Sequence, residues 1–207
     1  YKRQVTIIAI LVAFALGGIL KGATGAGAPV VTIPVIAAFY DVRIAVIIMV
    51  VPNLLTNIGQ LYQFRKTILP SFFTVSFALG GGIGALIGTI LLANLSIKIL
   101  TLSVAFIVII YILLKLIVPS WKLIYEKAAK LVFIMGAAGG ILQGAAGLSA
   151  PISITFLNAM KLERNQFIPT ISVYFGVMSI FQMPTLYYYD LLNCLLYTSP
   201  SPRDAQL

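Results

Sequence analysis

The sequence has no histidine and one cysteine, Cys194, in 207 residues. A chain with this composition has no His/Cys metal cluster, no Cys–His nucleophilic pair and no disulfide framework. Charge is scarce as well. Asp and Glu total 5, and charged residues make up 9% where a soluble domain carries about a quarter. Asp41, Glu126, Glu163 and Asp190 sit in or beside loops, and Asp204 lies in the tail. No apolar run therefore holds a carboxylate for a proton relay or an acid–base pair. Neither an enzyme nor a cofactor is expected.

What remains is apolar. The chain is 60% hydrophobic with a mean hydropathy of +1.06. This is the composition of an all-α, polytopic membrane protein with the lipid bilayer as its first partner. The net charge of +9 does not point to nucleic acid, because the basic residues occupy short loops between apolar runs, the positive-inside pattern.

Residues 17–29, GGILKGATGAGAP, recur as 139–151, GGILQGAAGLSAP, with nine of thirteen positions identical at an offset of 122. A Gly-rich break inside a membrane span leaves backbone groups without helical partners, so it must face protein or a watery cavity. Helix is expected to stop near 21–23 and 143–145 and to resume at 28–29 and 150–151. There Pro29 and Pro151 suit a first turn. Paired broken helices in two related halves point to a transporter site. N–H groups and a positive dipole end near mid-membrane suit an anion. The alternative is glycines that only let helices pack. The string GATGAG lacks the Gly-Lys-Ser/Thr ending of a nucleotide loop.

In chain order, residues 5–40 form two half-helices with one net crossing, or a re-entrant hairpin. Further spans are expected at 44–64, 70–95, 97–118 and 167–188, with a second broken span at 131–160. The domain plan is a first repeat over 5–118, a cytoplasmic loop over 119–130 and an incomplete second repeat over 131–192. The ends, 1–4 and 194–207, resemble translated sequencing-adapter read-through, and the tail is expected to pack poorly and add no span. The 119–130 loop and Arg65–Lys66 are basic and lie on one side, the cytoplasmic one; Asp41 and Arg43 lie outside. Lys161, Glu163 and Arg164 are the counterparts of Asp41 and Arg43. With four crossings per unit the repeat is parallel; if each break adds a crossing it is inverted.

Several residues are candidates for the site. Backbone N–H groups of 27–31 and 149–153 include those of Gly27, Ala28, Ser149 and Ala150, with Gly25 and Gly147 in the breaks. Thr24, Thr32, Ser149 and Ser153 add hydroxyls. Lys21 is a cation inside an apolar run, hence a functional candidate or a snorkelling side chain. Gln143 takes its place in the second copy. Asn53, Asn57 and Gln60 share one helical face, which lines a pathway or bonds to neighbouring helices. Gly80, Gly84 and Gly88 recur every four residues, a close-packing face.

The Gly-rich break with its proline, the short turn after it, the Pro-x6-Gly spacing of Pro52 and Gly59 and its weaker copy at Pro169 and Gly176 resemble the TauE/SafE sulfite exporter family. That resemblance implies an inner-membrane permease of eight spans in two similar halves, moving sulfite, sulfonates or related sulfur oxyanions. It also implies that the last two spans are missing here. Ser149 departs from the pattern, standing where the first copy has Gly27. The competing functions are a passive anion channel and a membrane scaffold or assembly factor. Substrate, direction, coupling ion and oligomeric state, a homo-oligomer included, stay open.

Overall fold

The computed structural model describes residues 2–117 and 122–192. The expected non-native tail, 194–207, lies outside them. The elements are α1 (Lys2–Thr24), α2 (Ala28–Phe39), α3 (Val42–Phe64), a 3₁₀ turn (Arg65–Thr67), α4 (Ser71–Asn94), α5 (Ile97–Ile117), α6 (Tyr125–Ala146), α7 (Ser153–Ala159) and α8 (Arg164–Tyr188). The described residues contain no strand. Among them α1, α3, α4, α6 and α8 are long and apolar enough to cross a membrane. Exposed Leu102, Phe106, Ile109 and Leu113 recur at helical spacing along α5, an apolar face for lipid.

Both Gly-rich stretches break the helix, slightly later than expected. The first helix runs on to Thr24 and the next begins at Ala28; the second pair is α6 to Ala146 and α7 from Ser153. Residues 150–152 turn instead of starting the helix, because the N–H groups of Ile152 and Ser153 both bond the Ser149 carbonyl (3.0 and 2.9 Å).

The breaks reverse the chain. Gly17 of α1 lies against Ala28 and Thr32 of α2, and Ile10 and Phe14 pack on the cluster holding Ile33 and Ile36. Thus α2 runs back along α1, and of the two sequence expectations the re-entrant hairpin is the one formed. Length explains it. The apolar part of α1 has 21 residues, about 31 Å at 1.5 Å per residue, which already spans the hydrocarbon. The 12 residues of α2 reach only about 18 Å. Likewise Ser153 sits beside Gly139, and Ala159 accepts from the Leu123 N–H (2.8 Å) just ahead of α6. So α7 folds back along α6.

Side-chain pairs give the remaining directions. Thr67 donates to the Asn165 carbonyl, Ser172 bonds Gln60 (3.3 Å) and Asn53 bonds Ser179 (3.5 Å); α8 is therefore antiparallel to α3. Gly80, Gly84 and Gly88 of α4 press on the backbone of Phe133, Ala137 and Ile141 of α6. The constant offset makes α4 and α6 parallel. Phe77 stacks on Tyr174 at 4.0 Å, and Gly82 meets Val177 and Phe181, so α8 runs with α4. Lys21 reaches Asn53 while Gln60 bonds the Lys21 carbonyl, so α1 runs with α3. The two hairpins therefore point in opposite directions. One consequence bears on a point that the sequence left open. Asn165, one residue past Arg164, sits at the same end as Arg65–Lys66, whereas Arg43 bonds the Leu95 carbonyl (2.9 Å) at the far end. Lys161, Glu163 and Arg164 are thus not on the Asp41–Arg43 side.

Candidate functional site

The first break is shaped by glycine. Gly25 and Gly27 hold φ of 82° and 103°, a region that side chains disfavour. Gly25 packs on Ile168 of α8, and Gly27 forms the N-cap of α2 with Pro29 just inside the helix. Thr24 is not free to bind a ligand, because its hydroxyl bonds the Leu20 carbonyl (2.8 Å). In the second break Gln143 caps instead. Its Oε1 accepts from the Ser149 N–H (3.2 Å), and the Ser153 hydroxyl donates to the Ser149 carbonyl (2.9 Å). Among the described residues, no hydrogen bond takes the N–H of Gly27, Ala28, Leu148 or Ala150.

The two breaks meet. Gly27, Pro29 and Val30 face Gly147, Leu148, Ser149 and Ala150 across a crevice that Gln143 and Phe175 also line. Phe175 lies near the middle of α8, so the meeting point is close to mid-span. The crevice measures about 10 Å³, room for about one water molecule. As it stands, no oxyanion fits there. Seven-residue α7, with its first N–H, that of Ser153, already bonded to the Ser149 carbonyl, adds little to a helix-end anion site. The second half is therefore not the twin of the first that the repeat leads one to expect.

The larger space lies on the other face of the first hairpin. A cavity of about 470 Å³ is lined by Phe14, Lys21, Ala28, Thr32, Met49, Pro52, Asn53, Thr56, Gly59 and Gln60, among others. It is open, since Gly18, Gly22, Thr56, Gly59 and Gln63 of its wall are exposed. Lys21 does not snorkel. It is 4% exposed, its Nζ donates to Asn53 Oδ1 (3.1 Å), and it lies 5.8 Å from the centre of the Phe175 ring. Neither partner is an anion. Asn57 Nδ2 donates to the carbonyl and Oδ1 of Asn53 (2.7 and 3.0 Å), which fixes the amide that meets Lys21. The Thr32 hydroxyl bonds the Ala28 carbonyl and touches Met49 Sδ (3.1 Å).

Of the thirteen candidates, Lys21, Ala28, Thr32 and Asn53 line the cavity. Gly27, Gln143, Gly147, Ser149 and Ala150 line the crevice. Thr24, Gly25, Asn57 and Ser153 line neither. Gln60, noted in the sequence for the face it shares with Asn53 and Asn57, joins them, as do Phe175 and Ser179, which were not candidates. Gln60 bonds the Lys21 carbonyl (3.2 Å) and Ser172, and its place on the face of Asn53 and Asn57 was the available signal. Phe175 and Ser179 reach the site from α8 and carry no sequence signal, because only the packing of α8 on α3 brings them there.

A buried cation stands at the wall of a mostly apolar cavity that the first broken helix and α3 enclose. The model of the family described as sulfite exporter TauE/SafE matches residues 9–199. No curated protein and no solved structure matches the chain. With a match over most of its length and five membrane-length helices, the chain is a multi-pass membrane protein that belongs to the sulfite exporter TauE/SafE family.

Proposed function

We propose that the chain is a permease of the cell inner membrane that moves small sulfur oxyanions, sulfite or a sulfonate among them, through the cavity beside Lys21. One observation carries this reading: among the described residues, the Lys21 ammonium is buried at the cavity wall with Asn53 and Phe175 as partners and no carboxylate. An isolated charge in an apolar medium is costly, and a mobile counter-anion relieves that cost. An ammonium has three donors. One meets Asn53, leaving two for an oxyanion. The Ala28 N–H at the start of α2 adds a donor and the positive end of a helix dipole, a contribution of about 0.3–1 kcal/mol. The account thus keeps a helix end in the site but takes it from the first half alone, with Lys21 as the principal charge.

The scaffold reading would be favoured by continuous, tightly packed helix at both breaks, whereas both breaks interrupt the helix. Uptake of labelled sulfite into liposomes holding the purified chain tests the proposal. Saturable flux that follows an imposed gradient supports a carrier. Flux linear in concentration means a channel, and flux equal to empty liposomes means neither.

A further inference from the structure

The polar side chains that α3 and α8 turn toward each other form a ladder. Ser172 meets Gln60 Oε1 (3.3 Å), and Asn53 Nδ2 donates to Ser179 Oγ (3.5 Å). Lys21 joins at Asn53 (3.1 Å). On α8 the ladder has one more rung. Gln182 follows Ser179 by three residues, so it shares that face one turn closer to the far end, away from Arg65 and Lys66.

Gln182 is 2% exposed, and its Nε2 donates to no acceptor among the described residues. The amides of Asn53, Asn57 and Gln60 each donate to a protein oxygen. The register of the ladder sets Gln182 opposite Val50, which lies in an apolar cluster with Val46, Leu92 and Leu186. A buried donor without a partner is costly, and a leucine here would avoid that cost. The group left over is a donor, which suits an oxyanion and not a metal cation. Its place is also telling. The cavity beside Lys21 is open past Gly22 and Gln63, near the basic end. Beyond Asn53 the apolar cluster closes the seam between α3 and α8. An anion that crosses by this seam has to leave past the cluster, and Gln182 is the unpaired donor on that side of Lys21.

We propose that the anion path continues from Lys21 along the seam of α3 and α8, with Gln182 as its binding residue on the far side of the cavity. The Gln182 amide takes the anion when Val46, Val50 and Leu186 part. The substrate comes from the anion-transport reading above, although the path itself can be probed without sulfite.

Thiol labelling and flux in liposomes holding the full chain test this. In a Cys194→Ser background, the membrane-impermeant anion 2-sulfonatoethyl methanethiosulfonate should react with Gln182→Cys. It should spare Val132→Cys, which is buried in the core that α4, α6 and α8 share. Gln182→Leu should lower sulfite flux about tenfold or more, the loss of one hydrogen bond to a charged group. Its unfolding temperature in detergent should equal or exceed that of the wild type, because an unpaired buried donor is gone. No reaction at position 182 overturns the proposal. Wild-type flux in Gln182→Leu overturns it too, and assigns the amide to a trapped water. A loss of flux that merely follows a loss of stability also overturns it. The two readings fail separately. Sulfite flux in a chain unreactive at position 182 keeps the substrate and removes the path. Reaction at position 182 in a chain that moves no sulfite keeps the path and removes the substrate.

Discussion

Gly27 borders the crevice and Gly59 the larger cavity, and the two respond differently to a side chain. At Gly27, φ is 103°, so any L-residue there is strained by about 1–3 kcal/mol. Gly27→Ala should lower the unfolding temperature in detergent, which makes it a poor probe of transport. At Gly59 an added Cβ meets no atom within 4 Å, yet the residue lines the large cavity. Gly59→Val should therefore keep the wild-type unfolding temperature while narrowing the cavity and reducing sulfite flux. Loss of stability in Gly59→Val with none in Gly27→Ala would reverse this assignment. In the sequence the two glycines look alike; only the backbone angle at one and the empty space at the other separate them.

At the scale of elements, the interface of α4 and α6 is built from absent side chains. A Cβ on Gly84 would collide with the Ala137 carbonyl, and one on Gly140 with that of Gly81. Overpacking of this kind costs about 1–3 kcal/mol, more where backbone itself must move. Gly84→Leu should lower thermal stability by at least that much, and unchanged unfolding would show that the two helices do not meet here. The four-residue spacing made this face legible in the sequence, because small residues at i and i+4 bring helix backbones together. The breaks were legible for a related reason, since glycine and proline mark where a membrane helix stops. The direction of α2 was less so. Its apolar residues suit a continuing half-span and a return equally well, and only the length of the run ahead of it, already a full crossing, argued for the return. Gln143 was noted as the counterpart of Lys21, but its capping of Ser149 depends on the fold-back of α7, which sequence spacing does not report.

For the molecule as a whole, direction and charge go together. The opposed hairpins place Lys161, Glu163 and Arg164 at the basic end with Arg65–Lys66, leaving Lys2, Arg3, Asp41, Arg43, Lys98 and Asp190 at the other. The excess of exposed cations at one end predicts that this end is cytoplasmic. In cells, a membrane-impermeant thiol reagent should label Tyr40→Cys and spare Lys127→Cys, both in a Cys194→Ser background. Labelling of position 127 alone would invert the topology.

The central claim is that the Lys21 ammonium is kept in the membrane for an anion and not for the fold. It is tested most directly by Lys21→Gln in the same liposomes, with thermal unfolding measured alongside. Losing one charge-assisted hydrogen bond, worth about 1.5–3 kcal/mol, should weaken sulfite transport by about ten- to a hundredfold. Removing a buried charge that has no carboxylate partner should leave stability unchanged or raised. Wild-type flux in Lys21→Gln, or a loss of flux that merely follows a loss of stability, would contradict the account.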